Sequence, residues 1–103
     1  MNVGKEIEKK RGIKELIDET WALINRAKGS LSDPKLGEGE KIRWAGALAN
    51  AIGTLNRLLL KDGAGGVNEE DLASILSKIP KKYVKIVNKK VKIWRGLKTH
   101  LGN

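Results

Sequence analysis

The sequence predicts an all-α protein, a small antiparallel four-helix bundle formed by a single domain over residues 1–103. Apolar residues recur at helical spacing in four segments, and residues typical of turns separate these segments. The chain of 103 residues is long enough to bury one core and too short for two. It contains no Cys, so the core has to hold without disulfides.

The first helix is predicted over residues 5–28, after a charged lead-in from Met1 to Arg11. Gly29 follows the periodic residues and is expected to end the helix. One face of this helix carries the apolar positions Ile13, Leu16, Ile17, Thr20, Trp21, Leu23, Ile24 and Ala27.

The second helix is predicted over residues 38–61, after a connecting loop that contains Asp33 and Pro34. Its apolar residues span about 220° of a helical wheel, so it should be the most buried helix. Gly46 and Gly53 lie inside it, and each lowers helix stability by about 1 kcal/mol relative to Ala. The close approach of a neighbouring helix is the expected compensation.

The third helix is predicted over residues 68–78. Asn68 and Asp71, three positions apart, form a helix start signal, and Pro80 prevents the helix from continuing. The glycine-rich stretch 62–66 resembles a phosphate-binding loop only superficially, because it follows a helix and lacks the Gly-Lys-Ser/Thr ending. It is interpreted as a turn between helices.

The fourth helix is predicted over residues 81–101. An apolar arc about 180° wide continues through Trp94, Leu97 and Leu101, which favours a helix. The alternative is a winged-helix-like fold of three helices and a basic β-hairpin, with β-branched strands on both sides of a turn at residues 88–90. Lys90 falls inside the apolar arc, and its long stem is expected to carry the amine to the edge.

The core is expected to centre on the second helix. Its residues Leu48, Ile52, Leu55 and Leu59 should meet Ile17, Trp21 and Ile24 of the first helix and Val87, Val91 and Trp94 of the fourth.

The net positive charge of the chain comes from its C-terminal third. Residues 1–71 carry 12 basic and 12 acidic side chains, whereas residues 72–103 carry 9 basic and none acidic. A basic face opposite an apolar one is typical of a surface that binds a nucleic-acid backbone. The hypothesis is a small nucleic-acid-binding protein, or an accessory subunit of a nucleic-acid-processing complex, that contacts DNA or RNA through Lys81, Lys82, Lys85, Lys89, Lys92 and Arg95.

Other functions remain open. The basic face could dock an acidic protein, or the small-residue edge of Gly46, Ala49 and Gly53 could pack a second copy in a homodimer. A bend at residues 79–80 fits a helix-turn-helix only loosely, and lysines contact phosphates more than bases. The three tryptophans lie on apolar arcs, which favours core packing over base stacking.

Several classes are disfavoured. The single His100 and the absence of Cys argue against metal sites, and no carboxylate pair suits acid–base chemistry, so neither a cofactor nor an enzymatic activity is expected. The charged N-terminus and the lack of a long apolar run predict a cytoplasmic protein without membrane association. Abundant Lys and Glu with no Gln resemble the composition of thermophile proteins.

Overall fold

The computed structural model describes the backbone of residues 2–91 and the side chains of residues 12–91. This part of the chain forms four helices and contains no strand, which confirms the all-α prediction. The hairpin alternative is wrong for residues 83–90, which are helical. The helices are α1 (Asn2–Leu31), α2 (Glu38–Lys61), α3 (Glu69–Ser77) and α4 (Lys81–Lys90).

Helix α1 is longer than predicted because Gly29 does not end it. The helix continues to Leu31, whose side chain is completely buried, and this burial offsets the weak helical propensity of the glycine. The chain then turns through residues 32–37, where the side chain of Asp33 accepts a 2.9 Å hydrogen bond from the backbone N–H of Lys35.

Helix α2 has the predicted bounds and the central position. Its buried residues Leu48, Ile52 and Leu55 are fully enclosed, and Leu59 is partly buried. From α1, Ile24 is buried and Ile17 and Trp21 pack against the core at its margin. Val87 and Val91 are also buried, so the predicted core is confirmed except for Trp94, which lies outside the described residues.

The apolar face of α2 is narrower than its sequence suggests. Ile42 and Leu60 are 47% and 56% exposed, and Leu16 and Leu23, on the predicted apolar face of α1, are 48% and 42% exposed. Because α3 has only nine residues, it covers less of the pair formed by α1 and α2 than a full-length helix would.

Helix α3 begins as predicted. The side chain of Asn68 accepts a 2.7 Å hydrogen bond from the backbone N–H of Asp71, and three acidic residues occupy the first turn. The stripe of Leu72, Ile75 and Leu76 is buried.

Helix α4 is shorter than predicted. It ends at Lys90, and the backbone of Val91 is extended, with φ −84° and ψ 100°. The side chain of Val91 is 2% exposed, so the residue at which the helix ends is still anchored in the core. The predicted continuation to Leu101 lies outside the described residues.

Helices α2 and α4 run side by side in the same direction. The first turn of α4 touches the first turn of α2, where Lys82 pairs with Glu38. Eight residues further along both helices, the amine of Lys90 lies beside Gly46. The α1–α2 pair is antiparallel, because six residues connect the two helices and the guanidinium of Arg26 lies over the ring of Trp44.

Within the described residues, no helix backbone lies close to Gly46 or Gly53 of α2. A β-carbon on Gly46 would meet only the Lys90 amine, at 3.3 Å, and one on Gly53 would meet no described atom within 4 Å. The sequence predicts that the Lys90 stem carries its amine to the edge of the apolar face, and the contact with Gly46 agrees with that position.

Candidate nucleic-acid interface

Helix α4 has one buried side and one exposed side. Tyr83 and Val87 point into the core with 1% and 0% of their surface exposed. Pro80 precedes the helix with φ −58°, and its carbonyl accepts hydrogen bonds from the N–H groups of Tyr83 and Val84. Proline therefore fixes where α4 begins, and the buried pair fixes how the helix is rotated.

The exposed side of α4 presents a row of lysines. Lys81, Lys85 and Lys89 are spaced by four residues and all are exposed. Successive members are separated by slightly more than one helical turn, about 6 Å along the axis. These three residues are called the lysine row below. They are the members of the predicted site that the structure brings together on one exposed face.

Lys82 differs from the lysine row because it has a carboxylate partner. Its amine lies 2.9 Å from one carboxylate oxygen of Glu38, and the other oxygen accepts a 2.7 Å hydrogen bond from the hydroxyl of Tyr83. The amine also lies 5.1 Å from the centroid of the Tyr83 ring. Lys82 is thus bound to the protein itself, and its charge is partly neutralised.

These contacts shift three pKa values. The hydrogen bond from Lys82, followed by that from Tyr83, lowers the pKa of Glu38, and the bond to Glu38 raises the pKa of Lys82. Burial, followed by its hydrogen bond to Glu38, raises the pKa of the Tyr83 hydroxyl. At neutral pH the cluster therefore consists of a carboxylate, an ammonium and a neutral phenol.

Sequence reasoning missed Glu38 because it lies 44 positions from Lys82. The absence of acidic residues from the C-terminal third does not mean that no acid approaches α4. One signal was present, since a tyrosine hydroxyl at the edge of a core usually needs a hydrogen-bond partner.

The remaining predicted residues, Lys92 and Arg95, lie outside the described residues, as do Trp94 and His100. Trp21 and Trp44 are partly buried against the core. Arg26 lies 5.7 Å from the centroid of the Trp44 ring, so one ring face already has a cationic neighbour. This agrees with the predicted packing role of these two tryptophans.

The glycine-rich segment is a turn between α2 and α3, as predicted. Gly63, Gly65 and Gly66 have φ values of 81°, 81° and 89°, which glycine adopts without strain. The side chain of Asn56 accepts a 2.9 Å hydrogen bond from the backbone N–H of Val67 and so ties this turn to α2.

The side chains described from residue 12 to residue 91 contain no group of three or more His, Cys, Asp or Glu placed to hold a metal ion. Within the described helices, none is long and apolar enough to cross a membrane.

The described residues therefore define an all-α four-helix protein with an exposed lysine row on its fourth helix. Comparison with protein-family models finds no match, and the same is true of comparisons with curated proteins and with solved structures.

Proposed function

We propose that this protein binds nucleic acid through the phosphate backbone, with the lysine row of α4 as the described part of the contact surface. The observation that carries the proposal is the exposure of Lys81, Lys85 and Lys89 on the side of α4 opposite its buried residues. Because the apolar side of α4 is buried in the core, the lysine row faces solvent, where a polyanion can reach it.

The charge arrangement of α4 supports this role. Like charges four residues apart destabilise a helix by a few tenths of a kcal/mol per pair, and the lysine row contains two such pairs. A bound polyanion relieves this repulsion. Lys82, which is held by Glu38, contributes less to the surface than the lysine row does.

The chemistry of the row favours phosphates over bases. A lysine ammonium is a point charge without the paired donors that arginine offers to a guanine edge. The interaction is therefore expected to depend weakly on sequence and strongly on salt. DNA and RNA both present the required phosphates. The protein would bind them either alone or as an accessory subunit of a larger nucleic-acid-processing complex.

Salt dependence tests the proposal. Each lysine that neutralises a duplex phosphate contributes about 0.9 to the slope of log K against log[salt], so the lysine row alone predicts a slope of about −2.7. Lys92 and Arg95 would bring it to about −4.5. The measurement is fluorescence anisotropy of a labelled duplex of about 20 base pairs, which is long enough to cover all of these contacts, at several salt concentrations.

The double variant K85A/K89A should reduce the magnitude of the slope by about 1.8. The matched control is K35A/K61A, which removes two exposed lysines outside α4 and lowers the net charge equally. An identical slope in both variants, or no binding to duplex or single strands at low salt, would remove the support for the proposal.

The second candidate is an acidic protein partner for the same row, with no role in nucleic-acid binding. The Lys82–Glu38 pair favours this candidate, because in this pair a lysine of α4 already binds a carboxylate of the protein. Capture from a lysate with and without nuclease separates the two candidates. Partners that are lost after nuclease support nucleic-acid binding, and partners that remain support the protein interaction.

A homodimer through the small-residue edge of α2 is an alternative with a separate test. Ala49 is 3% exposed and Gly46 faces the amine of Lys90, so α4 covers part of this edge. Sedimentation of the purified protein would show whether a second copy binds.

A further inference from the structure

The contact between α4 and α2 ends well before α2 does. Lys82 pairs with Glu38 at the start of both helices. The amine of Lys90 lies beside Gly46. The two members of each pair are 44 positions apart, so the helices keep one register along their contact. Helix α4 ends at Lys90, whereas α2 continues from Gly46 to Lys61, so the second half of α2 extends beyond the end of α4.

The edge of α2 that faces α4 continues past Gly46 with small residues. Gly53 follows Gly46 by seven residues, about two helical turns, and therefore lies on the same edge. Ala49 lies between them, and Ala49 and Gly53 both line a cleft of about 320 Å³. Among the described residues, no atom lies within 4 Å of the position of a β-carbon on Gly53. This part of the edge therefore has room for side chains that pack on it.

The chain reaches this cleft at the end of α4. Val91 lines the cleft, and its side chain is 2% exposed. It is followed by 12 residues, which lie outside the described part of the chain. Residues 92–101 are called the C-terminal segment below. This segment would span about 15 Å as a helix and about 33 Å as an extended chain, whereas Gly53 lies about 10 Å along α2 from Gly46. Its length is sufficient to reach Gly53 in either conformation.

We propose that the C-terminal segment docks along α2 in this cleft and packs its apolar side chains against Ala49 and Gly53. The register of 44 positions between α2 and α4, continued past Lys90, places Leu97 opposite Gly53. Four of the ten residues in the segment are large and apolar, namely Ile93, Trp94, Leu97 and Leu101. Their burial against α2 supplies the favourable free energy of docking.

The chain's own segment is favoured over a second copy because Val91 already holds its start at the cleft. A linked segment is present at a high effective concentration and loses no translational freedom of a separate molecule. The described lining of the cleft contains the cation of Arg57 and neither Asp nor Glu. The basic residues of the segment are therefore expected to face solvent, where under the proposed function Lys92 and Arg95 would add to the cationic surface of α4. The docking itself does not depend on nucleic-acid binding.

The direct test is nuclear Overhauser spectroscopy of the isotope-labelled full chain without nucleic acid. Protons of Trp94 and Leu97 should show contacts with the methyl group of Ala49 and the α-protons of Gly53. A mixture of labelled and unlabelled chains separates contacts within one chain from contacts between two. Contacts within one chain are expected. Contacts only between chains would assign the cleft to a second copy, and the absence of any contact would leave it without the C-terminal segment, so either result would overturn the proposal.

The blocking variant is G53L, and the matched control is G29L. For both glycines a β-carbon would meet no described atom within 4 Å, and leucine is the better helix former, so both variants should gain stability if nothing docks at Gly53. With docking, G53L should melt below the wild-type temperature, because its side chain takes the place of the segment, whereas G29L should melt above it. A rise in G53L equal to that in G29L would refute the docking.

A double-mutant cycle tests whether Leu97 acts through the same cleft. L97A should lower the melting temperature in the wild-type background and leave it nearly unchanged in the G53L background, because the contact is already lost there. An equal effect of L97A in both backgrounds would show that Leu97 does not pack at Gly53, which would contradict the proposal.

Discussion

The carboxylate of Glu38 accepts a 2.7 Å hydrogen bond from the hydroxyl of Tyr83, across 45 positions of the chain. This bond joins the first turns of α2 and α4, and the same carboxylate holds the amine of Lys82. Glu38 therefore has two effects. It fixes the start of the basic helix against the core, and it withdraws one lysine from the surface available to an anion.

E38Q should strengthen nucleic-acid binding if the proposed function is right. The amide carries no charge, so Lys82 becomes available for a phosphate, and the magnitude of the salt slope should increase by about 0.9. The matched control is E40Q, which changes the net charge equally in the same turn of α2. The slopes are measured by anisotropy, and equal slopes for E38Q and E40Q would contradict the release of Lys82.

The pH dependence of stability should reflect the same cluster. The pKa of Glu38 is lowered in the folded protein, so its contribution is present at neutral pH and is lost as the pH falls below about its ordinary value of 4.5. The pKa values of Lys82 and Tyr83 are raised, so their contributions are lost as the pH rises above about 10. Thermal melting of wild type and E38Q from pH 3 to 11 checks this. The two melting curves should converge in acid, and a constant difference at every pH would refute the assignment.

L55A should destabilise the protein by about 2–5 kcal/mol, because Leu55 is fully buried and its truncation leaves a cavity. L60A is the control on the same helix. Leu60 is 56% exposed, and its truncation should change stability by no more than about 0.5 kcal/mol. Urea unfolding measures both values, and similar losses would show that the central position of α2 is wrong.

G66A should destabilise the protein more than G65A. Both glycines have positive φ, which costs an alanine about 1–2 kcal/mol. A β-carbon on Gly66 would also lie 2.5 Å from the Asn56 side-chain oxygen, whereas one on Gly65 would meet no atom of the described residues within 4 Å. The added β-carbon has to displace the Asn56 side chain, which accepts the hydrogen bond from the Val67 N–H, so G66A should lose additional stability. Urea unfolding of both variants is the measurement, and equal losses would contradict a stabilising role for the position of the Asn56 side chain.

Local features of the fold were predictable from the sequence. The start of α3 at Asn68 depends on residues within one turn, and the burial of Leu48 and Ile52 follows from helical spacing. The end of α4 at Val91 was not predictable in this way. It depends on burial of that side chain in a core built from other helices, and the apolar spacing continues past it.

The candidate site was predictable only in part. The spacing of Lys81, Lys85 and Lys89 placed them on one exposed face, and the structure agrees. The pairing of Lys82 with Glu38 and the position of Lys90 beside Gly46 depend on the register between α2 and α4, two helices that are separated by 19 residues in the chain. No local pattern in either helix encodes that register.

The division of charge along the chain has a consequence for biosynthesis. Residues 1–71, which the ribosome makes before α4, carry equal numbers of acidic and basic groups. The antiparallel α1–α2 pair is joined by a short loop, so these two helices pack against each other at low entropic cost. They can do so while the residues that follow α2 are still in the exit tunnel of the ribosome. The segment through the end of α2 carries 12 basic and 8 acidic side chains, and the four acidic residues that balance them follow at Asp62, Glu69, Glu70 and Asp71. The lysines of α4 leave the ribosome after all 12 acidic residues, so under the proposed function the surface that could bind ribosomal RNA is exposed only after the acidic side chains of the chain.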